Sequence, residues 1–226
     1  NYANDVIDRA SRFFPFATRE QVNGQATSGS ANTSAEDRIF SSEILFGNYH
    51  SKRTTDIFDK IFSYKLEAKN VLKMSDYGIS QLYEDDGDLR KCQWQTQRDT
   101  EGNVGQFFVK YGDVTDNGFE FARLLPMIRM SEMYLIKAEC TKDYKALNPI
   151  RKARNIPQLK SNIGLNGYIE DEYVREFIGE GQLFWYYKRK GITSIPRLYN
   201  PNLQDMQITN STYVFDLPDS EQQLRK

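Results

Sequence analysis

Apolar positions follow a helical period only in the second half of this chain. Before about residue 120, apolar residues come in short runs that glycine and aspartate interrupt. After that point Met127, Met130, Tyr134 and Ala138 recur at the three-to-four-residue spacing of one helix face. Pro126 suits the first turn of a helix, where its missing N–H costs nothing. The pattern therefore predicts a helix that starts at Pro126 and buries this face.

Two further helices are predicted beyond this one. The first covers residues 144–154 and is stopped by Asn155-Ile156-Pro157, because a residue that precedes proline leaves the helical conformation. The second runs from Gly167 to Lys190, with acidic residues at its start and basic residues at its end, an order that complements the helix dipole. Its two apolar stripes are predicted to pack in the core. The stripes are Tyr173, Phe177 and Phe184, and Val174, Ile178 and Trp185.

The N-terminal part of the chain predicts little regular structure. A short helix is expected within residues 1–14, ended by Pro15. Residues 23–34 are rich in Gly, Ser, Thr and Asn and predict a solvated loop. Residues 42–49 predict a strand, and residues 56–62 show a modest helical pattern.

Long connections dominate the stretch over residues 75–118, where Gly and Asp separate brief apolar runs such as residues 106–111. The tail over residues 192–226 is polar and predicts an extended segment that lies against the body at 213–218. These patterns together predict a mostly α fold, in which long irregular loops and a few short strands accompany a helical scaffold.

Composition narrows the classes of function. The 226 residues allow one large domain or two small ones, and a net charge of -1 gives no reason to expect a nucleic-acid partner. With two cysteines, Cys92 and Cys140, and the single histidine His50, a zinc centre or a Cys/His nucleophile pair is not predicted. No P-loop, dinucleotide fingerprint or Gly-x-Ser-x-Gly motif occurs, so no cofactor is expected.

Neither a membrane span nor a signal peptide is predicted. No apolar run reaches the roughly 20 residues that a spanning helix needs. The sequence opens on Asn1-Tyr2-Ala3-Asn4, without an initiator methionine, and this favours a mature or truncated chain.

Three charged helical segments follow one another: Ile128–Glu139 (IRMSEMYLIKAE), Leu147–Arg154 (LNPIRKAR) and Arg175–Gly181 (REFIGEG), the last followed by KRKG. Their order and spacing resemble the Arg-x-x-Glu-x-Tyr-Leu-x-x-Ala-Glu, Leu-Asn-x-x-Arg-x-x-Arg and Glu-Arg-x-x-Glu-Leu-x-x-Glu-Gly helices of the SusD/RagB family. Ser42–Phe46 and Phe215–Glu221 are similar to further family segments. The resemblance covers most of the chain after residue 40 and is to the C-terminal portion of the family.

This resemblance implies an organisation. Family members are built on tetratricopeptide-like helical repeats with a loop-rich excursion. For this chain it implies a loop-rich segment with a candidate ligand-binding excursion at 1–120, a helical tetratricopeptide-like core at 121–191, and an extended C-terminal segment packed on the body at 192–226.

It also implies a location and partners. Members sit on the cell-surface side of the bacterial outer membrane through an N-terminal lipid anchor, which is absent from this chain. Each caps a SusC-like TonB-dependent transporter and passes a glycan, sometimes a peptide, into it.

Glu176 and Glu180 lie one helical turn apart, and paired carboxylates can serve glycoside hydrolysis. Here the two apolar stripes predict burial of one side of their helix, and no aromatic-lined cleft is evident around the pair. The resemblance implies that these acids are structural and pair with Arg129, Arg151 or Arg154, since buried charges need partners. No catalytic residue and no enzymatic activity are therefore predicted.

Residues 84–88, Glu-Asp-Asp-Gly-Asp, form an acidic cluster with a turn glycine. Several carboxylates could hold calcium, but the spacing and terminal Glu of an EF-hand are missing. A solvated turn is the favoured interpretation, and no metal site is predicted. Asp88 and Arg90 are expected to form a structural Asp-x-Arg pair such as relatives contain.

The pattern best suited to sugar recognition lies between residues 77 and 95. A sugar ring stacks its C–H face on an aromatic side chain while its hydroxyls pair with planar polar groups. The predicted ligand-binding residues are Trp94, Tyr83, Tyr77, Arg90 and Gln93, with Gln95 beside them. The alternative for Trp94 is packing under a loop. Tyr49 and Tyr111 are weaker candidates.

Three functions remain open. The first is a glycan-binding component that delivers nutrient to the transporter. The second is a helical-repeat interaction or adhesion protein without a small-molecule ligand, and the third, ranked last, is a hydrolase. Exposed aromatic residues in a groove formed by residues 70–115 would favour the first, whereas burial of those aromatic residues would favour the second.

Overall fold

The computed structural model describes residues 2–24, 36–112, 123–196 and 204–224. Its helices are α1 (Tyr2–Ala10), α2 (Arg19–Asn23), α3 (Asp76–Leu82), α4 (Met130–Thr141), α5 (Tyr144–Ala153), α6 (Leu165–Phe177), α7 (Gln182–Lys190) and α8 (Asp219–Leu224). Short 3₁₀ turns cover Ser41–Glu43, Ala68–Asn70, Leu89–Gln93 and Asn210–Tyr213, and a π-helical segment covers Thr54–Phe62.

The strands are short, and their pairing is antiparallel. The strands are β1 (Ile44–Tyr49), β2 (Lys73–Met74), β3 (Trp94–Arg98), β4 (Val104–Phe108), β5 (Leu124–Arg129), β6 (Ser194–Ile195) and β7 (Met206–Gln207). β1 pairs with β5, β6 pairs with β7, and the other three form a sheet in the order β2-β4-β3. The predicted fold class, a mostly α scaffold with long loops and few short strands, is confirmed. Within the described ranges no helix is both long and apolar enough to cross a bilayer.

A first core lies among α4, α5 and α6, and α1 also packs against α4. Leu135 of α4 and Leu147 and Ile150 of α5 have no exposed surface at its centre. Tyr173 and Phe177 enter it from α6. The predicted helix over 144–154 is thus confirmed as α5.

A second core lies between the three-stranded sheet and the opposite side of α6. Trp94 of β3 and Phe108 of β4 are buried there, with their ring centroids 5.1 Å apart. Val174 and Ile178 pack against this core from the helical side. Because α6 contributes a stripe to each core, it fixes the position of the sheet relative to the helices.

The predicted continuous helix from Gly167 to Lys190 is wrong, because the chain breaks between α6 and α7. Gly179 and Gly181 adopt φ angles of 74° and 82°, a region that suits glycine because a Cβ crowds the backbone there. The break changes the direction of the two outer stripe residues. Phe184 is half-buried, and Trp185 is 56% exposed, so the core position predicted for Trp185 is also wrong.

The helix predicted to start at Pro126 begins later, at Met130. Pro126 lies in β5 opposite Gly47 of β1, next to register shifts in the ladder. A two-stranded ribbon leaves one side of each strand unpaired, so a residue without an N–H is tolerated in it. Met127, predicted to face the core, is exposed as a result.

The remaining expectations fare unevenly. The N-terminal helix exists but ends at Ala10, before Pro15, and the predicted strand is confirmed as β1. The helical pattern at 56–62 belongs to the π-helical segment. Most of the predicted loop at 23–34 falls outside the described residues. The division into three segments stays a prediction.

Candidate functional site

Between the two cores lies a set of buried ionised side chains, here called the ionic network. Arg90, Arg129 and Arg154 are among the largest side chains with no exposed surface. The network consists of Arg90, Lys110, Arg129, Arg151, Arg154, Arg175, Glu43, Asp88, Glu172, Glu176 and Glu180. Charged side chains are rarely buried without partners, so their pairing determines what they can do.

Glu176 is the centre of this network. Its Oε1 accepts hydrogen bonds from Arg154 Nε at 2.7 Å and Arg90 Nη1 at 3.1 Å. Its Oε2 accepts from Arg129 Nη1 at 2.9 Å and Arg154 Nη2 at 3.0 Å. Arg129 Nη2 also donates to the Glu176 carbonyl at 2.6 Å, so one α6 residue anchors three guanidinium groups.

Glu43, at the start of β1, completes the pairing of Arg154. Arg154 Nη1 and Nη2 donate to Glu43 Oε1 and Oε2, each at 2.7 Å, in the bidentate geometry that suits guanidinium and carboxylate. Glu43 Oε1 also accepts from the backbone N–H of Ala17 at 3.0 Å. This carboxylate therefore joins the N-terminal segment and β1 to the end of α5.

Glu172 and Glu180 extend the network on either side of the centre. Glu172 accepts from Arg90 at 2.6 Å and from Arg151 at 2.8 Å. Glu180 accepts from Lys110 and, at 2.9 Å, from Arg129 Nη2. The predicted pairing of Glu176 with Arg129 and Arg154 and of Glu180 with Arg129 is confirmed, whereas Arg151 pairs with Glu172 instead.

Electrostatics keep the Glu176 carboxyl group ionised. Burial alone favours the neutral form of Glu176, but the charges of Arg154 and Arg129 outweigh it and hold the pKa of Glu176 well below its usual range. The side chains of Glu176 and Glu180 have no exposed surface, and both contact Arg129. Glu176 and Glu180, the pair that suggested glycoside hydrolysis, thus contact arginine and lysine side chains. These contacts hold the segments of the fold together.

The acidic cluster at residues 84–88 points in several directions. Asp88 pairs with Arg90 through Oδ1 at 2.9 Å and Oδ2 at 2.6 Å, which confirms the predicted Asp-x-Arg pair. Asp86 pairs with Lys91, and Asp85 caps the N–H of Gly87 at 2.7 Å. Across the part of the chain that is described, no three His, Cys, Asp or Glu side chains converge on a possible metal position.

The predicted ligand-binding residues separate into a buried group and an exposed one. Trp94, Tyr83, Arg90 and Gln93 are buried, and the Trp94 indole N–H donates to the Tyr83 hydroxyl at 3.1 Å. Burial raises the pKa of Tyr83. Trp94 lies in β3 and packs against Phe108 in the second core, which is closer to the packed alternative than to an open sugar contact. Of the five, Tyr77 is exposed.

The two weaker candidates also differ in exposure. Tyr111 is buried in the second core, where burial raises its pKa. Tyr49 is half-exposed on the β1–β5 ribbon, and its hydroxyl accepts from Arg123 Nη1 at 3.1 Å. Gln95 is half-buried on β3. Ligand contact by any predicted residue stays a prediction, and exposure favours Tyr77 and Tyr49.

Sequence reasoning missed a groove of about 720 Å³ between the sheet and the last helices. It is lined mainly by aliphatic side chains of β2, α3, α6 and α7, among them Leu72, Leu82, Val174, Ile178 and Leu183. These residues are far apart in sequence, and the stripe that contains Val174 and Ile178 gave no sign that a groove runs beside it.

Similarity to known proteins places the chain in a family. The sequence profile of the SusD family matches residues 18–225. This match spans nearly the whole chain, and the chain belongs to the SusD family. No curated protein matches it.

Solved structures show the same fold. A SusD superfamily protein from Bacteroides thetaiotaomicron matches with a TM-score of 0.67 and 21% identity over 98% of this chain and 53% of the other. A SusD-like carbohydrate binding protein from Bacteroides vulgatus matches with a TM-score of 0.63 and 16% identity, with the same coverage. A second SusD superfamily protein from Bacteroides vulgatus matches at 0.59 and 20% identity over 90% of this chain and 48% of the other. The chain spans about half the length of these solved relatives.

Proposed function

We propose that this chain is part of a cell-surface glycan-binding protein that delivers its ligand to a SusC-like TonB-dependent transporter. The observation that carries the proposal is the SusD family match over residues 18–225. One solved protein with the same fold is described as a carbohydrate binding protein, which supports the same ligand class. In this proposal the protein lies on the outer side of the bacterial outer membrane through an N-terminal lipid anchor.

The glycan is bound without being cleaved. This part of the proposal is supported by the pairing of Glu176 and Glu180, whose buried carboxylates are occupied by arginine and lysine and so are unsuited to proton transfer to a sugar.

Tyr77 provides the contact that the sequence pattern and the fold both favour. It is half-exposed near the N-terminus of α3. The adjacent Asp76 carboxylate accepts from Gln106 Nε2 at 2.9 Å, and the same amide nitrogen donates to Thr96 Oγ1 at 3.0 Å. An exposed aromatic ring can stack on a sugar, and carboxylate, amide and hydroxyl groups can form hydrogen bonds to it.

The alternative, an interaction or adhesion protein without a small ligand, is favoured by the burial of Trp94 and Tyr83. Those rings were expected to line the sugar site, and they pack instead in the second core. The two functions are distinguished by direct binding to glycans.

Affinity electrophoresis tests the proposal. The chain is run in native gels that contain a soluble polysaccharide, with α-glucans, β-glucans, xylans, mannans and pectins in separate gels. We expect retardation by at least one of them and a clear loss of retardation for Tyr77→Ala. Tyr2→Ala, which removes an exposed tyrosine of α1, serves as the matched control.

The outcomes separate the possibilities. Retardation that Tyr77→Ala leaves unchanged would refute the role of Tyr77 and retain the glycan ligand. Migration that no polysaccharide alters would refute glycan binding by this chain and favour the interaction alternative.

A further inference from the structure

An exposed pair of aromatic rings lies on the far side of α7 from the groove. Trp185 is 56% exposed and Phe215 is 69% exposed, and their ring centroids are 6.0 Å apart. Leu183 and Tyr187, by contrast, line the groove from the same helix. We call Trp185 and Phe215 together the aromatic platform.

The platform rests on a packed layer of rings. Phe184 lies 5.1 Å from Trp185, 5.2 Å from Phe215 and 5.5 Å from Tyr213, measured between ring centroids. Tyr213 is buried, and its hydroxyl donates to the carbonyl of Ile192 at 2.6 Å. The C-terminal segment is thereby fixed against α7, and the two exposed rings are held in position before any ligand arrives.

A cation lies over the Trp185 ring of the platform. Lys188 Nζ lies 5.7 Å from the centroid of the Trp185 ring and donates to the carbonyl of Tyr213 at 2.8 Å. An ammonium group has three donors, so this contact leaves capacity for a ligand oxygen. Arg189 and Lys190 of the same helix are paired with Glu139, which keeps them away from this role.

We propose that the aromatic platform is a carbohydrate contact, in which a sugar ring stacks on Trp185, the Phe215 ring, inclined to it by 62°, flanks the sugar, and Lys188 donates to a hydroxyl or carboxylate oxygen. This inference rests on the proposed function and names a second contact for it, on α7 and the C-terminal segment. Flat, exposed rings with a donor beside them match the amphipathic face of a sugar.

The platform also supplies its own spectroscopic probe, because the sequence contains two tryptophans. Trp94 is 6% exposed, and Trp185 is the exposed one. Iodide should therefore quench the emission of Trp185 and leave that of Trp94. A sugar stacked on Trp185 should shift the emission to shorter wavelength and protect it from iodide.

The experiment combines this readout with affinity electrophoresis on the same panel of polysaccharides. We expect Trp185→Ala and Phe215→Ala to weaken retardation about tenfold, the loss typical of truncating an aromatic anchor. Trp185→Phe keeps a ring and should retain part of the binding. Phe13→Ala removes an exposed ring elsewhere and is the control, and Trp94→Phe should preserve the iodide protection.

Each outcome decides the inference. A retarded wild type whose Trp185 variants bind equally well, with unchanged iodide quenching at saturation, overturns the platform and leaves the proposed function intact. If the wild type dimerises and Trp185→Ala abolishes the dimer without an effect on retardation, the aromatic platform binds a second copy of the chain. This result also overturns the inference. Absence of retardation by every polysaccharide removes the proposed function and this inference together.

Discussion

Replacement of Arg154 by methionine tests whether the ionic network stabilises the fold. Arg154 makes four hydrogen bonds to Glu43 and Glu176, and its guanidinium carbon lies 3.9 Å from the centroid of the Phe40 ring. Methionine fills much of the aliphatic volume but leaves the buried Glu43 with the Ala17 N–H and an ion pair to Arg129 at 3.6 Å. Removing one partner of a buried pair costs about 3–5 kcal/mol.

The matched control lies on the surface of the same chain. Arg189 also makes a bidentate pair, to Glu139 at 2.9 and 2.8 Å, but its side chain is 53% exposed. Solvent screens such a pair, so Arg189→Met should cost less than about 1 kcal/mol. The two variants therefore differ in burial while they share the residue type and the pairing geometry.

Urea unfolding followed by circular dichroism measures the difference. With a slope of about 3 kcal/mol per molar urea, the midpoint should fall by about 1–2 M for Arg154→Met and by less than about 0.3 M for Arg189→Met. Adding Glu43→Leu to Arg154→Met should recover part of the loss, since it removes the unpaired carboxylate. Equal midpoints for the two single variants would refute the reasoning.

Three other predictions concern the break after α6, the acid limit and the thiols. Gly179→Ala should destabilise by about 2–4 kcal/mol in thermal melts, because its Cβ would clash with the buried Phe108 ring and its φ is positive. Gly181→Ala also has a positive φ but open space around it, so it should cost only about 1 kcal/mol. The pKa of Glu176 is lower in the folded than in the unfolded state, so its ionic contacts contribute their full stabilisation of the fold above the unfolded-state pKa of about 4.3. That stabilisation is lost as the pH falls below this value. Urea midpoints that stay constant from about pH 5 to about pH 3 would contradict this. Cys140 is exposed and should react with a thiol reagent in the native state, whereas burial raises the pKa of the Cys92 thiol to about 12 and should protect it until unfolding.

Local patterns in the sequence predicted most of the helices, and the resemblance to the SusD/RagB family implied the ionic partners. The resemblance implied pairing with Arg129, Arg151 or Arg154, and Glu176 pairs with Arg129 and Arg154. The exposure of Trp185 was predicted wrongly, because it continues an apolar stripe in the sequence and is exposed in the structure. For Trp94, the sequence leaves packing under a loop open as the alternative to ligand contact, and its side chain is buried.

The reason for the exposure of Trp185 is the break in the helix. The helical spacing of apolar residues predicts which side chains are buried only as long as the helix is continuous. Two glycines with positive φ interrupt this helix between Ile178 and Gln182. Val174 and Ile178 therefore kept their predicted contact with a core, and Trp185 did not. The prediction that a helix starts at Pro126 was wrong for a related reason. Its strand partner Gly47 is remote in sequence, so no local pattern indicates the pairing.

The separation in sequence of the network partners bears on how the chain folds. Glu43 and Arg154 are 111 residues apart, and Arg90 and Glu176 are 86 apart. Such contacts close only after long loops have been ordered, so they should form late and slow the search for the native state. Until they form, α5 and α6 hold charges that cannot be sheltered from water. The helices alone should therefore be unable to form a core from which water is excluded. Unfolding should then occur as one transition along the whole described chain. Hydrogen exchange would record this as similar protection of the backbone amides on both sides of α6.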